Sequence, residues 1–115
     1  MPHTACTQCL SAYESLPDRS AVRELAQLVM QVTGVPYCEM FSHTRRAQAV
    51  YARSLLSYML HTEADYPIVF IAGALSRTHS TITSQISFIR HGSRMAAHIR
   101  QDILRIQQLL NTPNP

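Results

Sequence analysis

Apolar residues recur at steps of three and four along nearly the whole chain, and no segment alternates apolar and polar residues over more than a few positions. Spacing of the first kind gives a helix one buried stripe, whereas alternation would indicate a strand. The pattern therefore predicts an all-α protein. Because 46% of the residues are hydrophobic, we expect a compact globular bundle of helices.

Helix-start and helix-stop signals divide the chain into about six predicted helices. They are a short helix between Thr4 and Leu16, then 20–33, 47–65, 67–74, 78–90 and 93–110. Between the second and third of these, "CEMFSHTRR" (38–46) predicts a brief helical turn followed by a basic loop. This organisation gives one domain at 20–111, with an N-terminal helical extension at 1–19 and a tail at 112–115.

The same pattern predicts which positions are buried. "PIVFIAGAL" (67–75) is apolar on every side, so it is expected to be buried all round, with Pro67 at the first helical position and Asp65 or Tyr66 as the cap. Gly92 is predicted to end the fifth helix, and Ser93 to cap the sixth. The predicted stripe residues are Val22, Leu25, Leu28, Val29, Val32, Ala49, Ala52, Leu55, Leu56, Met59, Ile82, Ile86, Ile89, Met95, Ile99, Ile103, Ile106 and Leu110.

Charge is distributed unevenly along the chain. Residues 1–44 carry two arginines against four acidic residues, a net charge of −2, whereas residues 45–115 carry eight arginines against three acidic residues, a net charge of +5. A polyanionic partner would therefore bind the C-terminal part of the chain. The sequence shows no long apolar run and no signal peptide, and its three cysteines are an odd number, so a cytoplasmic protein without a membrane span is expected.

Two short predicted helices, 67–74 and 78–90, are separated by about three residues, as in a helix-turn-helix, where the second helix enters the DNA major groove. The sequence "SRTHSTITSQISFIR" (76–90) begins that second helix with short polar side chains. Its expected solvent side carries Arg77, Thr78, His79, Ser80, Thr81, Ser84 and Gln85. Side chains of this size reach base edges or phosphates without holding the helix away from the groove. Capping by Ser76 or Thr78 and ordinary surface polarity explain the same residues.

A second basic element lies in "SHTRRAQAVYAR" (42–53). Arg45 and Arg46 are adjacent in a predicted loop, and Arg53 lies in the helix that follows. Adjacent arginines can enter a minor groove or contact phosphates, and a solvated loop is the alternative.

Together, these two elements resemble the C-terminal DNA-binding domain of the bacterial replication initiator DnaA, which contains a helix-turn-helix of the Trp-repressor type. That domain has an arginine-containing loop, an Arg-Gln pair opening a helix of "AMYL" type, and then the motif "IGxxFGxRDHTTV". The resemblance covers roughly residues 20–110, and "RTHSTI" (77–82) is its most specific part. The matched positions are Ser42, Arg45, Arg53, Tyr58, Ile71, Leu75, Arg77, His79, Ser80, Thr81 and Ile82.

The resemblance implies sequence-specific binding of double-stranded DNA. The loop arginine, Arg45 or Arg46, would enter the minor groove, and Arg53 and Ser54 would contact the phosphate backbone. The residues implied to face the major groove are Thr78, His79, Ser80 and Thr81. The chain departs from the family at Thr78, Ser54 and Ser76, where the family has aspartate, glutamine and glycine, so the family's recognition sequence is not carried over.

Other activities are not predicted. The chain has no Gly-rich phosphate loop such as GxxxxGK[ST] and no nucleophile with an identifiable base, so neither an ATPase nor another enzyme is expected, and no cofactor. Cys6, Cys9 and Cys38 with His3 offer a zinc alternative, although the first two also fit the apolar face of a helix. A helix end explains His61, Glu63 and Asp65 without acid–base chemistry.

The partner expected from the sequence is double-stranded DNA, and the chain is expected to act as a monomer or weak homodimer. The alternative function is a helical adaptor that keeps the fold and uses its surface for a protein partner, in regulation or in a phage or mobile element.

Overall fold

The computed structural model describes residues 20–111, and every regular element in this range is a helix. The helices are α1 (Ser20–Thr33), α2 (Tyr37–Met40), α3 (Ala47–Thr62), α4 (Ile68–Leu75), α5 (His79–Met95) and α6 (Ala97–Asn111). The prediction of an all-α helical bundle is confirmed for this range. The predicted extension at 1–19 and the tail at 112–115 lie outside the described residues.

Helix α3 is the centre of the bundle. It packs against α1, α2, α4 and α5, while α6 packs against α1 and α5. Because α3 has neighbours on most of its sides, all five residues of its predicted stripe are fully buried, together with Leu60. The prediction that this helix is the buried scaffold is confirmed.

Helix α1 and the loop after it also follow the sequence pattern. Val22, Leu25 and Val29 are buried, and the helix ends where Gly34 adopts a φ of +77°. A side chain is disfavoured in this left-handed region, and glycine adopts it freely. The predicted helical turn and loop at 38–46 are observed as α2 and an irregular segment leading to α3.

Helix α4 is less buried than predicted. Only Ile71, Ala72 and Leu75 are buried, and Val69 is 70% exposed. The helix is short, and within residues 20–111 its main packing partners are α3 and α5, which leave its outer side exposed in this range. It begins at Ile68, with Pro67 as the N-cap and no side-chain cap, so the prediction of a capping Asp65 or Tyr66 is wrong.

The boundary between the last two helices also differs from the prediction. Helix α5 continues through Gly92 to Met95, and the extended conformation of Ala96 then separates it from α6. A Cβ atom on Gly92 would lie 2.6 Å from Cδ1 of Ile99, so this glycine allows α6 to approach α5 and does not stop the helix. Met95 is 74% exposed and lies outside the stripe, whereas Ile99, Ile103 and Ile106 are buried as predicted.

Candidate nucleic-acid interface

Three residues connect α4 to α5 and determine where α5 begins. Ser76 ends α4 in the left-handed conformation, with φ 54° and ψ 49°. Glycine adopts this conformation at no steric cost, so the serine is strained at the position where the initiator family has glycine. Thr78 is the N-cap of α5, since its Oγ1 accepts a hydrogen bond of 3.2 Å from the backbone N–H of Thr81. Of the two caps suggested by the sequence, the structure uses Thr78.

The first two turns of α5 present short polar side chains to solvent. Thr78, His79 and Ser80 are exposed, and so is Ser84 one turn further along. Thr81 is half-buried, and its hydroxyl accepts a hydrogen bond of 2.8 Å from Oγ1 of Thr78. A partner approaching the start of α5 would therefore meet hydroxyls and an imidazole.

Gln85 does not belong to this exposed surface. It is buried, and its Oε1 accepts a hydrogen bond of 2.8 Å from the hydroxyl of Ser57 on α3. The same hydroxyl also makes a 3.1 Å contact with the carbonyl oxygen of Arg53. The prediction that Gln85 lies on the solvent side is wrong, because α3 passes close enough at this position to cover it.

The loop between α2 and α3 (residues 41–46), called the arginine loop below, is held in place by hydrogen bonds of its own short hydroxyl side chains. The hydroxyl of Ser42 donates to the carbonyl of Glu39 at 2.9 Å and accepts from the N–H of Thr44 at 3.2 Å. The hydroxyl of Thr44 accepts from the N–H of Arg46 at 3.3 Å. Serine and threonine commonly form such turns with nearby backbone groups. These bonds give the loop a defined path with Arg45 near its end.

The two loop arginines differ in their contacts. Arg46 lies 3.5 Å from a carboxylate oxygen of Glu39, a long and exposed ion pair. Arg45 is exposed, and its side chain makes no hydrogen bond or ion pair with any residue between 20 and 111. Of the two, Arg45 is the arginine whose guanidinium is available to a partner.

Arg53 is buried under the loop, with 5% of its surface exposed. Its Nε donates to the carbonyl of Met40 at 2.9 Å, and its Nη2 donates to the carbonyls of Glu39 and Thr44, each at 3.1 Å. Burial and, secondarily, the positive charge of Arg77 lower the pKa of Arg53. The guanidinium nevertheless stays charged, because its ordinary pKa is far above neutral pH.

Arg77 reaches the same loop from the connection between α4 and α5. Its Nη1 donates to the carbonyls of Leu75 and Ser76, each at 3.2 Å, and its Nη2 donates to the carbonyl of Ser42. Burial lowers the pKa of Arg77. The start of α5 and the arginine loop, which are some 30 residues apart in the sequence, are therefore in direct contact through this side chain.

Ser54 has little access to a partner. It is 1% exposed, and its hydroxyl donates to the carbonyl of Val50 in its own helix at 2.8 Å. Arg53 and Ser54, which the resemblance implied to contact phosphates, thus make internal contacts and offer almost no surface to a ligand.

A groove with a volume of about 460 Å³ runs between α3 and α5 beside the arginine loop. Its lining combines the polar residues Arg77, Ser80 and Thr81 with the exposed apolar residues Val50 and Phe88. No carboxylate lines it among the described residues. The full lining is Val50, Arg53, Ser54, Arg77, Ser80, Thr81, Ser84, Gln85 and Phe88.

The sequence analysis did not predict the apolar part of the groove lining or the Ser57–Gln85 contact. The sequence did contain a signal for the groove lining. One face of α5 carries Thr81, Gln85 and Phe88, which fall at i, i+4 and i+7. No signal identified Ser57, because a serine inside an apolar helix looks the same whether it bonds its own backbone or another helix.

The described residues show neither a metal centre nor a membrane span. Between residues 20 and 111, no three His, Cys, Asp or Glu side chains come together in a way that would hold a metal ion. Cys6, Cys9 and His3, on which the zinc alternative depends, lie outside this range. None of the helices in the range combines the length and the apolar content needed to cross a bilayer.

Comparison with known proteins does not assign the chain to a family. Neither a protein-family model, nor a curated protein, nor a solved structure matches this chain, so the initiator domain remains a resemblance of sequence motifs.

Proposed function

We propose that this protein is a sequence-specific double-stranded DNA-binding module that works without an ATPase. The observation that carries the proposal is the contact between Arg77 and the carbonyl of Ser42, which joins the exposed start of α5 to the loop bearing Arg45. This contact brings together two elements that each suit a different groove of DNA.

The order and size of α4 and α5 support this proposal. The structure has a short helix, a three-residue connection and a longer helix that begins with exposed polar residues, which is the order of elements that a helix-turn-helix requires. In such motifs the N-terminal residues of the second helix meet base edges. Here those residues are Thr78, His79, Ser80 and Thr81, with Arg77 immediately before them.

The roles of the arginines follow from their exposure. Arg45 is the residue we assign to the minor groove or to phosphates, with Arg46 beside it in an exposed ion pair. Arg53 and Ser54 support the loop and α3 from inside, a role that differs from the phosphate contact implied by the family motif. The absence of the family aspartate at Thr78 means that the preferred sequence has to be determined for this protein itself.

The test is selection of bound sites from a random duplex pool, followed by fluorescence anisotropy over a salt series. Phosphate contacts predict that log K falls by about 0.9 per log unit of salt for each phosphate neutralised. Arg45→Ala is expected to weaken binding to every duplex and to reduce this slope by about 0.9 if the arginine contacts one phosphate. Arg105→Ala, which removes the same charge from an exposed position on α6, is the matched control and is expected to change affinity less.

His79→Ala is expected to change the order of preferred sequences, because base-edge contacts carry sequence information and phosphate contacts do not. An equal loss from His79→Ala on all duplexes would contradict this assignment. If the folded protein binds no duplex at low salt, the proposed function is wrong.

The exposed apolar residues in the lining of the groove favour one second candidate, a helical adaptor for a protein partner. Val50 is 36% exposed and Phe88 is 54% exposed, and both lie on the groove between α3 and α5. Exposed apolar side chains that line a groove are a common feature of helix-binding surfaces. Phe88→Ser separates the two functions: DNA binding through the start of α5 is expected to survive it, whereas an adaptor contact in the groove is expected to be lost.

A further inference from the structure

We propose that Arg53 and Arg77 form a latch that holds the arginine loop at a fixed distance from the start of α5, and that both are positioning residues for Arg45. The inference deepens the proposed DNA-binding function and rests on it. Neither arginine is assigned a contact with DNA.

The latch consists of two guanidinium groups and the backbone of one loop. Arg53, on α3, donates to the carbonyls of residues 39, 40 and 44. Arg77, in the α4–α5 connection, donates to the carbonyl of residue 42 and to the carbonyls of residues 75 and 76. Four carbonyls at or beside the loop are thus bound from two sides, and one of the two side chains is anchored at the beginning of α5.

Arginine is suited to this task because its planar guanidinium carries five N–H donors in a fixed arrangement, so that one side chain satisfies several carbonyls in different directions. A lysine offers one nitrogen on a flexible chain and cannot reach the same set of carbonyls together. Polar groups at the foot of a loop need such partners, because an unpaired carbonyl removed from water is costly.

The arrangement has an electrostatic feature that favours a role in positioning. Neither Arg53 nor Arg77 forms an ion pair with a carboxylate between residues 20 and 111. The two positive charges are close enough for Arg77 to lower the pKa of Arg53. Carbonyl dipoles hold the pair in place, which fixes the loop while leaving a positive potential beneath it.

The consequence is geometric. A protein that reads two grooves at once must keep a constant span between the two reading elements, because a shift of about 3.4 Å corresponds to one base step on each strand. Loops are the most mobile parts of a fold unless their backbone is bonded to a scaffold. The latch supplies such bonds to the segment that leads to Arg45.

The experiment uses the full chain and the conservative variant Arg77→Lys, which keeps the charge. Arg90→Lys is the matched control, since Arg90 is an exposed α5 residue whose side chain makes no hydrogen bond or ion pair with residues 20–111. Hydrogen–deuterium exchange of the amides of residues 42–46, measured without DNA, is expected to become on the order of tenfold faster in Arg77→Lys, as for a segment that opens locally. Exchange in α3 is expected to remain unchanged in both variants.

DNA affinity provides the second readout on the selected duplex. If Arg77 positions Arg45, then Arg45→Ala weakens binding severalfold in the wild-type background and has little further effect in the Arg77→Lys background. Independent effects of the two substitutions on affinity, or unchanged loop exchange in Arg77→Lys, would overturn the proposal.

The wild-type chain offers a measurement that does not depend on any variant folding. A guanidinium held by several carbonyls rotates slowly, so nitrogen-edited NMR is expected to resolve separate Nη signals for Arg53 and Arg77 and one averaged signal for Arg90. Averaged signals for Arg53 and Arg77 would contradict the latch. If loop exchange and NMR support the latch but no duplex is bound, the latch stands and the proposed DNA-binding function fails.

Discussion

Helices α3 and α5 pack against each other, but the polar residues in the middle of α3 are buried, whereas most of those in α5 are exposed. In α3, Arg53, Ser54 and Ser57 are buried, and each bonds a backbone carbonyl or another helix. In α5, most of the short polar side chains face solvent, and Gln85 alone among the polar residues is buried. Both helices contain serines and an arginine or a glutamine, so residue type alone does not distinguish a structural role from a binding role.

The difference comes from the number of neighbours. Helix α3 is covered by four other helices, so its polar groups must be satisfied inside the protein or remain unpaired at a cost. Helix α5 packs against α3, α4 and α6 through the side that carries Ile82, Ile86 and Ile89, whereas most polar residues of its first turns are exposed in the described range and can exchange water for a ligand. We therefore expect substitutions in α3 to act on stability and substitutions at the start of α5 to act on binding.

The largest expected effect is a cavity in α3. Leu56→Ala removes a fully buried side chain and is expected to lower the free energy of unfolding by about 2–5 kcal/mol, from lost burial and the cavity left behind. Urea unfolding followed by circular dichroism measures this as a lower midpoint at an unchanged slope. Leu104→Ala, at a position that is 54% exposed, is the control, with an expected change within about 0.5 kcal/mol. Similar losses from the two would contradict the central place of α3.

The next effect concerns the buried charge of α3. Arg53→Met keeps much of the side-chain volume but removes the guanidinium donor from the carbonyls of residues 39, 40 and 44, although the carbonyl of residue 39 still accepts from the hydroxyl of Ser42. The free energy of unfolding is expected to fall by about 1–3 kcal/mol. Arg90→Met, on the exposed side of α5, is expected to stay within about 0.5 kcal/mol of wild type in the same unfolding experiment. If the two arginines prove equivalent, burial has not given Arg53 a structural role.

A smaller effect is expected at the boundary of the binding surface. Thr78→Ala removes the N-cap of α5 and should cost about 0.5–2 kcal/mol of stability, whereas Thr78→Asp keeps a capping oxygen and should not. Thr83→Ala is the control, because its hydroxyl bonds the carbonyl of His79 within the helix and alanine is the better helix former. The melting temperatures of the three variants, measured by thermal unfolding, test the capping role of Thr78. Equal melting temperatures for the two alanine variants would refute the capping role.

The smallest expected effect is the coupling between the two helices. In a double-mutant cycle, Ser57→Ala and Gln85→Met are expected to be non-additive by about 0.5–1.5 kcal/mol, because both remove the same buried hydrogen bond. Ser57→Ala leaves Oε1 of Gln85 without this donor, whereas in Gln85→Met the Ser57 hydroxyl keeps its contact with the carbonyl of Arg53. The control cycle pairs Ser54→Ala with Gln85→Met and is expected to be additive within about 0.5 kcal/mol, because Ser54 bonds its own helix. Additivity in both cycles would show that the contact does not fix α5 against α3.

The fold was predictable where apolar spacing decides it. The helical class, α1 with its end at Gly34, the buried stripe of α3 and the capping threonine all follow from local rules of period, capping and glycine conformation. The end of α5 does not follow from these rules, because a glycine such as Gly92 can either end a helix or allow a neighbouring helix to pack closely against it. Only the position of Ile99 beside it identifies the second use.

For the candidate site, the sequence by itself determined the parts: exposed hydroxyls and a histidine at the start of one helix, and adjacent arginines in a loop some 30 residues earlier. The tertiary structure decided how they are arranged. It left Arg45 exposed, buried Arg53 and Gln85, and connected the loop to α5 through Arg77. The physical reason is that spacing along a helix specifies which residues share a face, whereas burial and hydrogen-bond partners depend on which other helix covers that face.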